Sequence, residues 1–430
     1  MTISHSQATP RHLVKVESNE LLLGMFVSEL DCLWTDTPFP VDGFHLRKVE
    51  DIKSLQNFCK IVTIDTTRGA LPQRRRKEQL TILSSARKAA PEAASFKVSR
   101  DTYPVSHTIK QQIDKAYNYY KILQAEFSRA TTTARKGEQV NPADFEKSIL
   151  GLIDVVIANP QTLIWILNTD PSEFHQGSYC VRAAIWSAIL ARQIGMSIDE
   201  IEILFLGTLL ADIGMCALPQ RLLDKRGPYR KKEFLAYKKH VVLGVKYLSQ
   251  IDDLDDRVIS IVRSHHERHD GLGFPRGLRG KQIPAFARFA NLAYGFERLL
   301  SSLDNSRQNS PAKAMGRLYK QRELKFPDQL VVEFMHILSA YPVGSIVELS
   351  SGELALVLEQ NTEERLSPKI GLITDSNRVT LRSPKTIDLD EDERTISRSL
   401  GSQSLNFDAK DYTFSFFGKR LGFGKLGIRF

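Results

Sequence analysis

The feature that most constrains this chain is a change of hydrophobic period along it. From 142 to 341 apolar residues return every three to four positions, in 145–157, 179–194, 198–210, 231–251, 256–264, 285–303 and 329–338. That period lays an apolar stripe along one face of a helix, and such stripes are stable only when packed against one another. The stretch therefore reads as an all-α domain. Two glycine-bearing interruptions, Asp212-Ile213-Gly214 and Asp270-Gly271-Leu272-Gly273-Phe274-Pro275, mark sharp turns beside polar side chains.

On either side the period shortens to two. Within 13–69, runs such as Leu22-Leu23-Gly24-Met25-Phe26-Val27 and Ile61-Val62-Thr63-Ile64-Asp65 alternate with turn residues, which predicts strands around a short helix. After Tyr341-Pro342-Val343-Gly344 the pattern predicts strands at 345–349 and 353–359 about a Ser350-Ser351-Gly352 turn, and another at 369–374. A chain of 430 residues exceeds what one core usually organises. The expected plan is a small α+β domain at 11–70, a basic linker and connecting helix at 71–141, the all-α domain at 142–341, a β-rich appendage at 342–395 and a flexible aromatic and basic tail at 396–430. The fold class is mainly α.

A net charge of +9 favours anionic partners. The densest basic run, Arg74-Arg75-Arg76-Lys77, has no interleaved aromatic residues on which bases could stack, so it reads as a solvated linker and no nucleic acid is expected. The tail mixes Phe407, Tyr412, Phe414, Phe416, Phe417, Phe423 and Phe430 with Lys410, Lys419, Arg420, Lys425 and Arg429. A flexible end is the first reading of that composition, and docking on a partner or an anionic membrane surface is the second. No run of about 18 apolar residues and no signal-peptide core is found, which points to the cytoplasm. Cys32, Cys59, Cys180 and Cys216 lack C-x-x-C spacing and read as free buried thiols.

Chemistry concentrates in Ser264-His265-His266-Glu267-Arg268-His269-Asp270-Gly271, where three histidines and two carboxylates fall within six positions. A lone histidine on an apolar helix is usually a satisfied core or surface residue, but adjacency on this scale points to metal ligation. Asp212, at the end of an apolar helix where an unpaired charge is costly to bury, and His240 are two further candidates. Asp212 could equally cap the next helix.

These residues resemble a known signature. The run His265-His266-Glu267-Arg268-His269-Asp270-Gly271-Leu272-Gly273-Phe274-Pro275 is similar to the H-H-E-x-x-D-G-x-G-Y-P motif of HD-GYP domains, with Phe274 where the motif has tyrosine. Asp270, Gly271, Gly273, Phe274 and Pro275 form its signature loop. The likeness continues through Gly277-Leu278-Arg279-Gly280-Lys281-Gln282-Ile283-Pro284 and Leu210-Ala211-Asp212-Ile213-Gly214, and so covers about 142–341. The N-terminal unit resembles a domain of unknown function that often precedes HD-GYP domains in bacteria, through Leu23-Gly24-Met25-Phe26-Val27, Trp34-Thr35-Asp36-Thr37-Pro38-Phe39 and Gly43-Phe44. The resemblance implies a phosphodiesterase of bacterial signalling that hydrolyses cyclic di-GMP with two or three metals, often iron or manganese. Two metals about 3.5–4 Å apart acidify the attacking water and neutralise charge building on the phosphate, so losing one removes both aids.

Carried over position by position, the resemblance separates two ligand sets. In the first, the histidine of the first core helix falls on Tyr179 and the carboxylate one turn before it on His175. The histidine of the His-Asp doublet falls on Ala211, the lysine after it on Met215, and the aspartate of the late helix on Tyr294. The basic segment that grips phosphate is replaced by Ser301-Ser302-Leu303-Asp304-Asn305. The second set, Asp212, His240, His265 and His266, is complete. A neutral phenol is a poor ligand for a hard divalent cation and alanine offers no atom at all. His175 swinging toward the first site, or phenol ligation, is the route by which the centre would be rescued. The chain is thus expected to be a degenerate HD-GYP homologue with impaired catalysis. It would act by binding cyclic di-GMP or by docking on a diguanylate cyclase or another signalling protein. The four retained residues would hold one divalent metal, iron, manganese or zinc, or persist through hydrogen bonds alone. The alternatives are an active or slow metal-dependent cyclic di-GMP phosphodiesterase, and a structural scaffold.

Overall fold

The computed structural model describes residues 13–31, 39, 43–66, 68, 98–170, 176–225, 227–300, 309–361, 363–401 and 412–418. Alternating apolar residues at the N-terminal end build β1 (Leu13–Glu17), β2 (Phe26–Leu30), β3 (Phe44–His45), α1 (Val49–Phe58) and β4 (Ile61–Asp65). The strands form one antiparallel sheet in the order β1-β4-β2-β3. Its inner face, with Val16, Val27, Val62 and Ile64, closes on Leu55 of α1 as a small separate core. The α+β expectation holds. Trp34-Thr35-Asp36-Thr37-Pro38, Cys32 and Arg74-Arg75-Arg76-Lys77 lie outside the described residues.

The helical region comprises α2 (Ile109–Arg135), α3 (Glu146–Ala158), α4 (Gln161–Thr169), α5 (Gln176–Ile194), α6 (Ile198–Leu209), α7 (Gln220–Leu223), α8 (Lys231–Leu248), α9 (Asp256–Ser264), α10 (Ala285–Leu300), α11 (Pro311–Lys320) and α12 (Asp328–Leu338). Local chemistry sets several of the starts. Thr108 with Gln111, and Ser197 with Glu200, form capping boxes that satisfy the first free N–H groups of α2 and α6. α5 runs through the middle against α2, α3, α6, α10 and α12, and its buried Ala183, Ala184, Ala188 and Ala191 let those neighbours approach. No single helix among the described residues is long and apolar enough to cross a membrane. The one bent apolar pair, Pro142–Ala158 with Gln161–Thr169, is turned by 114° and contributes its apolar side chains to the core.

A buried ion pair ties three of these helices. Arg182 on α5 donates from Nε to Glu297 Oε1 on α10 at 2.5 Å and from its guanidinium to the carbonyl of Leu167 on α4 at 2.8 Å. Trp186, one turn further along α5, gives its indole N–H to the other carboxylate oxygen of Glu297 at 2.9 Å. Both charged side chains are almost completely out of solvent, so each depends on the other.

After α12 the chain forms β5 (Ile346–Leu349), β6 (Leu354–Glu359), β7 (Lys369–Thr374), β8 (Thr380–Asp388) and β9 (Ile396–Leu400), an antiparallel sheet in the order β8-β7-β6-β5-β9. The N-terminal unit rests on this sheet. Lys48 donates to the carbonyls of Leu389 and Asp392 at 2.7 and 3.2 Å, and Arg47 pairs with Glu364 at 2.5 Å.

Three expectations need correction. The connecting helix is no mere connector: α2 buries Ile113, Tyr120, Leu123 and Phe127 in the main core, because its apolar stripe faces α4 and α5. The tail at 396–430 is not wholly flexible, since Ile396–Leu400 pairs with β5, with Ile396 buried. Further on, α13 (Tyr412–Phe417) seats Phe417 edge-on against Trp165, with centroids 4.8 Å apart, while Thr413 accepts the Trp165 indole N–H at 3.2 Å. Phe417 at least docks within the chain. The remainder of the tail lies outside the described residues.

Breaking the ion pair by Glu297→Gln or Arg182→Met should cost about 3–5 kcal/mol of folding stability, because each leaves a buried charge uncompensated. Urea unfolding measures this, and a loss under about 1 kcal/mol would show that the pair does not hold α5 to α10.

Candidate metal centre

Three elements deliver the retained ligand set. Asp212 follows the last turn of α6, His240 lies mid-way along α8, and His265 and His266 directly follow α9. The loop after Asp212 is pressed onto α8 at Gly214, where any Cβ would run into the carbonyl oxygen of His240 and the backbone of Gly244. Glycine at 214 permits that approach, which brings the carboxylate to the histidine.

The ligand atoms of Asp212, His240, His265 and His266 all lie within 4.8 Å of one another. Asp212 Oδ1 stands 3.3 Å from His240 Nε2, 3.4 Å from His265 Nε2 and 4.0 Å from His266 Nε2, and the His240 and His266 Nε2 atoms are 3.1 Å apart. Ligands bound at about 2.0–2.2 Å to one tetrahedral ion would stand about 3.3–3.6 Å from each other. The outward nitrogens are already engaged: His240 Nδ1 donates to the Tyr237 carbonyl at 2.6 Å and His265 Nδ1 to that of Val262 at 2.8 Å. Those bonds fix the tautomer and aim the unprotonated Nε2 atoms inward, the arrangement that orients metal-bound imidazoles.

The arrangement fits one ion. Asp212 Oδ1 and His265 Nε2 are buried without a hydrogen-bond partner, and a buried carboxylate oxygen in that state is costly unless a cation meets it. Burial by itself raises the Asp212 pKa, but the imidazoles of His240 and His265 outweigh it and hold the carboxyl well below the usual carboxylate range. His266, the one member of the set that solvent reaches appreciably, is held well below the imidazole range, first by burial and then by His265. Phe274 stacks on its ring at 4.5 Å.

The positions assigned to the other ligand set are occupied differently. Tyr179 and Tyr294 pack ring to ring at 5.3 Å. The Tyr179 hydroxyl donates to the Tyr294 carbonyl at 2.8 Å, and the Tyr294 hydroxyl to that of Thr208 at 3.0 Å. Burial pushes both phenols up, with the charge of Asp212 adding to it, so they stay neutral. Ala211 is fully buried and Met215 nearly so. His175 and Ser301-Ser302-Leu303-Asp304-Asn305 lie outside the described residues.

The remaining candidates of the signature are not ligands. Glu267 is completely buried and accepts the backbone N–H groups of Arg276 and Leu278 at 2.8 and 2.9 Å, so its carboxylate organises the loop. Asp270 pairs with Arg268 and accepts the N–H of Leu272 at 3.0 Å, which shapes the turn. His269 points away from the cluster, and its Nδ1 is buried without a partner. Gly271 takes φ 81°, and a Cβ at Gly273 would strike the backbone of Glu267 and Arg268. Pro275 and Phe274 close this loop over His266. Sequence reasoning missed the Tyr237 carbonyl that steers His240 and the Asn291 side chain that donates to the Glu267 carbonyl, since neither belongs to a ligand pattern.

A helical core that joins an aspartate after one helix to histidines of two others defines an HD-type metal domain. Residues 161–330 match the HD domain family, and 13–145 match a domain of unknown function (DUF3391). The chain carries an HD domain and, before it, that second domain. It is 27% identical over 361 residues to a cyclic di-GMP phosphodiesterase of Pseudomonas aeruginosa, covering 83% of this chain and 84% of that protein. It is 33% identical over 146 residues to the cyclic di-GMP phosphodiesterase response regulator RpfG of Xanthomonas campestris, covering 34% and 39%. The solved structure of an HDG"Y"P protein from Bdellovibrio bacteriovorus superposes with a TM-score of 0.45 at 17% identity, covering 76% of this chain and 99% of that one.

Two outcomes are expected. Elemental analysis of purified protein should find about one divalent ion per chain, and His265→Ala or Asp212→Asn should lose most of it. In metal-free protein the unfolded chain takes up the His266 proton first, near the ordinary value of 6.5, so stability is full above that pH and falls as pH drops below it. Urea midpoints between about pH 7.5 and about pH 5.5 should decline, and His266→Gln should flatten the decline; an unchanged slope counts against a neutral, buried His266.

Proposed function

We propose that this chain is a cyclic-dinucleotide-binding HD-GYP homologue that holds one metal ion and acts in signalling through its bound state, with little or no hydrolysis. The relatives named as cyclic di-GMP phosphodiesterases support the ligand class. The observation that carries the loss of turnover is the hydroxyl pairing of Tyr179 and Tyr294 with backbone carbonyls, beside an alanine at 211. A two-metal centre needs donors on both sides of a bridging hydroxide. Here neither phenol has an ionised oxygen to offer, and position 211 has no donor, so a second ion does not fit the residues described.

One ion does fit, at Asp212, His240, His265 and His266. When bound, a divalent cation there supplies positive charge that an anionic phosphodiester can meet. Asp212 would contribute the single negative charge, leaving the loaded site net positive. With no donor at 211 and both phenols turned to carbonyls, nothing would hold the second ion that shares the attacking water, which separates this reading from a two-metal hydrolase. A signalling protein docked on the helical domain would then read the loaded state.

The test restores the first set. Wild-type protein supplied with manganese or ferrous iron should not turn over cyclic di-GMP. The triple variant Tyr179→His, Ala211→His, Tyr294→Asp should gain a second ion and raise hydrolysis by about 100-fold or more, equivalent to about 3 kcal/mol of barrier. Two ions per chain and rapid hydrolysis in the wild type would sink the proposal.

A further inference from the structure

We propose that the surface beside the four ligands carries a nucleobase shelf, built by Phe234 and Tyr237 of α8 with Tyr229, and a phosphate contact at Lys238. The inference rests on the reading of the chain as a cyclic-dinucleotide binder and names the residues that would hold base and phosphate.

The aromatic surface is continuous. Tyr237 stacks with Tyr229 at 5.3 Å and with Phe234 at 6.3 Å, the latter rings tilted by only 11°. At its inner end Tyr237 lies 4.7 Å from the ring of His240, centroid to centroid. Across the cleft, Phe274 faces Phe234 edge-on at 6.1 Å while stacking on His266. Aromatic rings that served only to pack α8 would be covered, yet Phe234 is 40% exposed and neighbouring Leu272 is 76% exposed. Flat apolar rings open to solvent and leading to a ligand cluster suit a planar π-system, and every nucleobase has such a face.

A cation lies on the same surface. Lys238 Nζ sits 4.8 Å from the Phe234 centroid and 4.9 Å from that of Phe274. Among the described residues Lys238 has no carboxylate partner, so the two rings hold the ammonium in place without neutralising it. A base on the shelf would place its phosphate between this cation and the four ligands, so one ligand satisfies rings, cation and metal together.

Isothermal titration of the full, metal-loaded chain with cyclic di-GMP tests the shelf. Phe234→Ala should weaken binding about ten-fold or more and Phe234→Tyr should retain it, as base stacking on an aromatic ring requires. Lys238→Gln should weaken binding and flatten its dependence on salt. Metal content should be unchanged in all three, and guanosine monophosphate should bind where ribose 5-phosphate does not. If the wild type binds cyclic di-GMP and Phe234→Ala binds equally well, the shelf is overturned while the binding reading stands. Weakening that tracks loss of metal also overturns it, since the effect would then be on the fold. A wild type that binds no cyclic di-GMP overturns both.

Discussion

The buried pair of Arg182 and Glu297 sets the register on which the rest of the helical region depends. Neither charge can be left alone in the interior, so α5 and α10 can meet only where guanidinium and carboxylate coincide. The Leu167 carbonyl and the Trp186 indole add hydrogen bonds to the same two side chains, which makes any slip of one turn doubly unfavourable. One turn before Arg182 and three residues before Glu297 stand Tyr179 and Tyr294, so the ion pair that aligns the helices also brings the two tyrosines together. The positions that the HD-GYP resemblance assigns to metal ligands are adjacent because of a contact that involves no metal.

That separation of scaffold from site explains how the first ligand set could change without disturbing the fold. Each phenol sends its proton to a main-chain carbonyl and buries its ring against the other, so the pair is satisfied internally. Ala211 is fully buried and carries no polar group that would need a partner there. The loop at Gly271 and Gly273 likewise hangs on Glu267, whose two oxygens hold the Arg276 and Leu278 N–H groups.

Most of the helical architecture was legible because helices that face one core write their period into the sequence. The exceptions are instructive. α4 escaped because Thr162, Leu163, Ile164, Trp165, Ile166 and Leu167 are buried all round, and a helix without a polar face has no stripe to detect. β8 escaped because Lys385 and Asp388 place charges along an edge strand, which protects the edge but erases alternation. The four clustered ligands were legible as residue types and from their likeness to a known motif. Their mutual distances were not, because these depend on Gly214 meeting Gly244 and on carbonyls such as that of Tyr237, and backbone contacts leave no trace in composition. The docking of α13 on Trp165 was equally invisible, since an aromatic tail looks alike whether its pocket lies in a partner or in its own chain.

The two ligand sets differ in a way that bears on why one persists. Tyr179, Tyr294 and Ala211 need nothing from outside the chain. Asp212, His240, His265 and His266 do: a carboxylate oxygen and an imidazole nitrogen are buried without hydrogen-bond partners. Such a group costs stability in the absence of a cation, because buried polar atoms there have given up water without a replacement. Replacing the set by apolar residues of similar volume would relieve that cost, as it does for many buried ionic clusters. An ion at this one position, as proposed, would meet both buried atoms at once, whereas the tyrosine pair offers a second ion nothing, and that difference is the physical ground of the one-ion proposal.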